Sequence, residues 1–159
     1  GPKWLENCLD SFAKKEGLYG SAGIIIEDPN DHSKQTRVGW PSQNRTLTKV
    51  DLVGHSWFFN RRYLPALWAE DPPVATNSED LHFSHMLQKY LEVDTFCPPH
   101  PPDDKEMWGS TMSYLGADGV GMSNATRKEK ENYDNERNLA IAHAIENNWR
   151  TIRGFENQS

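Results

Sequence analysis

Residues 51–101 read DLVGHSWFFNRRYLPALWAEDPPVATNSEDLHFSHMLQKYLEVDTFCPPHP. The stretch opens as a buried strand that carries His55 and ends in a proline-rich turn. Arg61 to Trp68 reads as a short helix disturbed by Pro65, which has no N–H to continue a helical ladder. A loop follows, and then Ser78-Glu79-Asp80 opens an apolar segment. Ser78 is of the residue type that caps helices, and acids in the first turn favour the helix dipole. The helix is expected to run to about Tyr90, with Leu81, Met86, Leu87 and Tyr90 facing inward. "VDTFCPP" reads as a short strand that the prolines end.

Two readings of Glu79-Asp80 stand side by side. In the first they are capping acids. In the second one of them is a general base, held at a helix start beside an accessible Pro/Asn loop, where it can take a proton from an incoming hydroxyl. On the capping reading, Asp80→Asn leaves folding nearly unchanged, because an amide still caps.

Outward from this stretch the pattern alternates. Trp4, Leu5, Cys8, Leu9 and Phe12 fall at helical spacing and predict an amphipathic helix ended by Gly17 and Gly20. "YGSAGIIIED" reads as a buried strand, and Asp28-Pro29-Asn30-Asp31 as a turn. Residues 32–48 are polar, broken at Gly39-Trp40-Pro41, and predict a surface loop with short strands. Residues 98–127 show no periodicity. A last helix is expected from near Lys128, with Leu139, Ile141, Ala142, Ile145 and Trp149 on its apolar face. The order of helices and strands predicts an α/β fold in a single domain, 1–159.

Composition narrows the function classes. The chain has 159 residues, 36% hydrophobic and 25% charged, with six Trp, six Phe and five Tyr. That many aromatics supports a packed core. A net charge of -6 without a basic stripe argues against a nucleic-acid partner. No apolar run reaches the roughly 20 residues that span a bilayer. No signal pattern is visible, so cytoplasm is favoured over a secretory lumen. Gly1-Pro2 reads as a protease-cleavage remnant, with the native start expected upstream. Cys8 and Cys97 form no CxxC motif, and their pairing stays open. Asn44-Arg45-Thr46 and Asn124-Ala125-Thr126 fit the N-glycosylation triplet, which matters only after secretion.

His55, His82, His85 and His100 share the 51–101 stretch. His82 and His85 stand i,i+3 on one helix; HxxH admits a zinc site, and the rival is a set of hydrogen-bonded histidines lining a polar cleft. His100 follows a strand end, where α/β sheets collect ligands; the rival is a surface histidine in a proline turn. Trp40, Trp57, Trp68 and Trp108 suit either sugar stacking or core packing. Arg61 and Arg62 suit either a phosphate clamp or a solvated helix start. There is no P-loop, GxGxxG or nucleophile-elbow pattern.

Taken in order, "VDLVGHSWFFNRRYL", "SEDLHFSHMLQKY" and "TFCPPHP" resemble the second half of a glycosyltransferase domain of the GT-A fold, and "LYGSAG" resembles its strand after the metal-binding segment. The resemblance covers about residues 3–110. It implies a partial GT-A mixed sheet flanked by helices, a nucleotide-sugar donor, a glycan or other hydroxyl acceptor, and a divalent metal, Mn²⁺ or Mg²⁺. By resemblance Asp80 is the catalytic base of an inverting transfer, with retention left open, and Glu79 contacts substrate hydroxyls. Gly54 and His55 lie under the donor sugar, and Trp57 and Trp108 flank the acceptor. Arg61, Arg62 and His82 complete the substrate-binding set, and His100 is the metal ligand. One departure stands out: the Asp-x-Asp nucleotide-binding half is not seen, and Asp28-Pro29-Asn30-Asp31 does not match it in place or spacing. The expectation is therefore a C-terminal portion of a catalytic domain, with self-association or a missing N-terminal half. The rival class is a non-catalytic carbohydrate-binding or scaffold module with the same aromatic and histidine-lined cleft.

Overall fold

In a computed structural model of the protein, residues 1–110 and 130–155 are described. The second glycosylation triplet and most of the expected long loop lie outside them. The described elements are α1 (Trp4–Lys14), β1 (Leu18–Ile26), β2 (Gln35–Gly39), β3 (Thr48–Val50), β4 (Leu52–Phe58), a 3-10 helix (Arg61–Trp68), α2 (Glu79–Leu91), β5 (Thr95–Cys97), a second 3-10 turn (Lys105–Met107) and α3 (Lys130–Glu146). The class is mixed α/β, as expected from the pattern.

The five strands form one mixed, curled sheet with β1 at its centre. β1 pairs antiparallel with β2 and with β4, and its first residues pair parallel with β5, which pairs antiparallel with β3. The small residues of β1 permit this crowding. A Cβ at Gly20 would lie 2.5 Å from Val53 Cβ, and one at Gly23 would lie 2.9 Å from Val50 Cγ1. Both distances are below contact, so only glycine fits. Across the sheet, Leu18, Val38, Val50, Val53, Phe83, Met86 and Leu87 make the main core, while Ile26, Leu52, Leu81, Ala140, Ile141, Ala144 and Trp149 make a second one under α3.

α2 is buried from Leu81 through Met86 and Leu87, polar residues included, because it is packed against the 3-10 helix, β4 and α3 at once. That explains the histidines. His82 Nε2 lies 3.2 Å from Leu67 O, and His85 Nε2 lies 3.3 Å from Asn147 O. Each ring is satisfied by a carbonyl of a different neighbour, which fits the hydrogen-bonded reading of the pair.

Several expectations are corrected. Leu5 and Leu9 are 58% and 51% exposed. α1 turns Cys8 inward as expected, joined in place of the two leucines by Asn7 and Ser11, since Asn7 Nδ2 donates to Pro99 O (2.8 Å) and Met107 O (3.0 Å). Tyr90 is exposed, and its hydroxyl donates to Glu70. Leu139 is exposed as well, one position out of phase with the inward stripe of Ala140, Ile141, Ala144 and Ile145. Ser78 makes no side-chain cap bond. Cys8 and Cys97 are free, buried thiols, and burial pushes each up to about 12. Asn44 is occupied: its Nδ2 donates to Thr46 O (2.8 Å) and Pro98 O (3.0 Å). Among the described residues no helix is long and apolar enough to cross a membrane.

A strap completes the fold. Asp51 accepts from Ile26 N (2.8 Å) with one oxygen and from Ile152 N (2.7 Å) with the other. Gln88 exchanges two bonds with the Arg150 backbone, and Arg153 grips Glu27 with two 2.7 Å bonds. Residues 149–153 thereby fasten α2 and α3 to the end of β1.

Burial makes stability pH-dependent in a defined window. It lowers the pKa of His85 to about 4, against a smaller pull from the Asn147 carbonyl, and it lowers His82 as well. A depressed folded pKa means the unfolded chain takes protons first, so stability present above about pH 6.5 is lost as pH falls toward about 4. Thermal melts should be level between pH 7 and 8 and fall steadily below 6.5. His85→Gln should flatten that fall, and an equally steep fall in the variant would exclude His85 as its source.

Candidate functional site

The site grows from an irregularity in β4. Ala22 pairs with Gly54 but Gly20 pairs with Trp57, so β4 carries one residue more than β1 over this step. The extra residue is a β-bulge, a feature that redirects side chains and recurs beside active sites. At the bulge His55 has φ 67, a left-handed conformation that costs a non-glycine residue about 1–2 kcal/mol. His55 is exposed and sets its ring edge-on to Trp40, centroids 4.3 Å apart.

Gly54 faces the start of α2. A Cβ built on it meets a single atom within 4 Å, Asp80 Oδ2 at 3.8 Å. The two residues are 26 apart in sequence and adjacent in space, so the structure brings Gly54 and Asp80 together, with His55 the next residue along β4 and its ring on Trp40. Glu79 is exposed at the same helix start.

Asp80 does more than cap. Its Oδ1 accepts from Leu81 N (2.8 Å) and from Arg137 Nη1 (2.9 Å), while Oδ2 is held only loosely, 3.4 Å from Arg137 Nη2. Arg137 Nη1 also donates to Asn77 O at 2.8 Å. The ion pair is largely dry, with side-chain exposures of 7% for Arg137 and 14% for Asp80. Burial works against the Arg137 charge, and Asp80 foremost, together with Tyr133 and Glu79, more than offsets it, so its pKa stands above the ordinary arginine value. Glu136 fixes the same loop by accepting from Thr76 Oγ1 (2.6 Å) and Asn77 Nδ2 (2.7 Å). Asn77 is itself left-handed, with φ 61. Two consecutive residues of α3 thus grip the segment that presents Asp80.

Trp108 joins this neighbourhood indirectly. It packs with Ala22 and Trp40 in one buried cluster, and Trp40 is the partner of His55. The other expected residues lie elsewhere. Trp57 packs against Phe83 (5.5 Å) and donates to Val53 O (2.9 Å). Arg62 pairs with Glu16 beyond α1 and lies over the Tyr63 ring. Arg61 is exposed at the same 3-10 start, and His82 points to Leu67 O.

His100 is fully buried. Its Nδ1 lies 2.8 Å from Pro98 O, and its Nε2 accepts from Gly109 N at 3.2 Å. The first bond requires a proton on Nδ1 and the second a lone pair on Nε2, so both ring nitrogens are engaged inside the protein. Trp4 and Trp108 rings flank it at 5.5 and 5.9 Å. Among the described residues no group of three His, Cys, Asp or Glu side chains is placed to hold a metal ion. His100 has neither ring nitrogen free for a divalent metal.

Sequence reasoning named Gly54, His55, Glu79 and Asp80. It missed Arg137, Glu136, Asn77 and the part played by Trp40. One signal existed: Arg137 falls in phase with Ala140, Ile141 and Ala144, and a lone arginine on an apolar stripe requires a buried partner.

No protein-family model matches the chain, and no curated protein matches it in sequence.

The ion pair changes what Asp80→Asn should do. Removing one charge of a buried pair strands the other, so a loss of roughly 2–3 kcal/mol is expected, below the full cost of a completely buried pair because Asp80 keeps some water contact. Arg137→Met should cost a similar amount, and the double variant should recover much of both losses. Chemical denaturation of the four proteins checks this; strictly additive losses would mean that the two side chains do not interact. At the bulge, His55→Gly should be more stable than His55→Ala by about 1 kcal/mol, the ordinary advantage of glycine in this conformation.

Proposed function

We propose that the protein carries the catalytic-base and acceptor side of a nucleotide-sugar-dependent glycosyltransferase, within a sheet of GT-A type. The observation that carries this reading is the open oxygen of Asp80. Oδ2 is loosely held and faces the bare backbone of Gly54 at a β-bulge, where the absent side chain leaves that oxygen uncovered. Its other oxygen is fully engaged, so the carboxylate is aimed while one lone-pair face stays available, as a general base requires.

In a single displacement, the acceptor hydroxyl gives its proton to Asp80 Oδ2 as its oxygen bonds to the anomeric carbon. The bond from that carbon to the diphosphate oxygen breaks on the opposite face, and the electron pair leaves with the diphosphate. The configuration inverts. Glu79, exposed beside Asp80, is suited to a donor or acceptor hydroxyl, and the exposed His55 ring, backed by the buried Trp40, to a further sugar hydroxyl.

A second reading has its own support. An exposed imidazole set against a tryptophan also suits a carbohydrate-binding module without chemistry. Calorimetry separates the two. A transferase binds nucleotide sugars, with or without added Mn²⁺, whereas a binding module takes up glycan and ignores the nucleotide.

For the transferase, Asp80→Asn assayed well below its melting temperature should lose roughly 10²–10⁴-fold in kcat, the usual worth of a general base. Transfer at the parent rate would remove Asp80 from that role. Gly54→Ala should fold normally, since the added Cβ meets only an ordinary 3.8 Å contact. Gly54→Val, with its longer branches over Oδ2, should weaken sugar binding.

A further inference from the structure

We infer that Arg137 is the positioning residue of this site: it aims Asp80 by holding one carboxylate oxygen so that the other stays turned toward Gly54. The inference rests on the base role assigned to Asp80 above.

Three observations carry it. The first is division of labour at the carboxylate. Oδ1 takes two short bonds, from Leu81 N and Arg137 Nη1, while Oδ2 takes only the long one. A planar guanidinium reaching both oxygens fixes the carboxylate plane, which a lysine ammonium cannot do. The second is the anchoring of Arg137 itself. Nη1 also donates to Asn77 O, and the preceding residue, Glu136, holds Thr76 and Asn77 from the same helix. The guanidinium is therefore referenced to the very loop that ends at Asp80. The third is that a simple structural role is a poor account of the pair. A dry ion pair is weak as a source of stability, because apolar residues of like volume often do as well. Ser78, the natural cap, has a buried hydroxyl without a partner, so the local bonding is not arranged to cap α2 at Ser78. It is arranged around the Asp80 carboxylate.

The consequence is that α3, remote in sequence from the 51–101 stretch, belongs to the site. Displacing a reacting group by about 1 Å can cost on the order of 10²-fold in rate, so loss of aim should show in turnover rather than in substrate affinity.

The test has two arms on the intact protein. In the first, NMR couplings report the Asp80 side-chain rotamer without any assay of activity. A single rotamer is expected in the parent and averaging over several in Arg137→Met; Arg137→Lys, which keeps the buried charge, serves if the methionine variant does not fold. An unchanged rotamer in either variant overturns the inference. In the second, transfer kinetics are measured in a double-mutant cycle. Arg137→Lys is expected to lower kcat about 10-fold and Arg137→Met about 100-fold with KM little changed, as for lost positioning. Neither should lower kcat further in the Asp80→Asn background. Independent effects in that background overturn positioning through Asp80, even where Asp80 remains the base. An Asp80→Asn variant with full activity instead sinks the base assignment, while the rotamer arm still decides whether Arg137 holds the side chain.

Discussion

Everything else is built around the crowding of β1. Its residues Leu18–Ile26 pair with three different strands, and two of its glycines sit where any Cβ would strike a neighbouring valine. A strand with partners along both edges cannot adjust when one partner changes length. The extra residue in β4 is therefore absorbed in β4, as the left-handed bulge at His55. The bulge turns Gly54 toward α2 and His55 toward Trp40, so the strain in the sheet and the geometry of the site have one origin.

The Asp80–Arg137 pair then couples the two sides of the molecule. α2 is held from below by the sheet and from the flank by α3, and its buried histidines are satisfied by carbonyls from the 3-10 helix and the end of α3. The strap at residues 149–153 locks the same helices to the tip of β1. A carboxylate mounted on so constrained a helix loses little entropy when it is aimed, unlike a carboxylate on a free loop. The ordering energy is met by apolar burial in the two cores and not by the ion pair.

His100 shows how a chemically attractive residue is absorbed by structure. Its place after a strand and between prolines is compatible with ligation, yet the turn folds back so that Pro98 and Gly109 occupy both nitrogens. Bond geometry over a few residues, combined with two tryptophan rings, decided that outcome. Trp57 and Arg62 are similar: each is of the right type for a ligand, and each has its polar group bonded within the protein.

The sequence by itself determined the class and the local elements. Periodicity marks α1, α2 and α3, the small-then-isoleucine run marks β1, and the turn residues mark the breaks, because all of these are set by interactions within a few residues. It also carried the candidate acid, since two acids opening a helix form a local pattern. The tertiary structure alone decided which face of α1 turns inward, that Tyr90 and Leu139 face water, that β4 bulges at His55, and that Arg137 meets Asp80 across 57 residues. Those outcomes depend on partners distant in the chain, and a pairing between distant residues leaves no period in a single sequence. Only the phase of one arginine on an apolar helix face hinted at it.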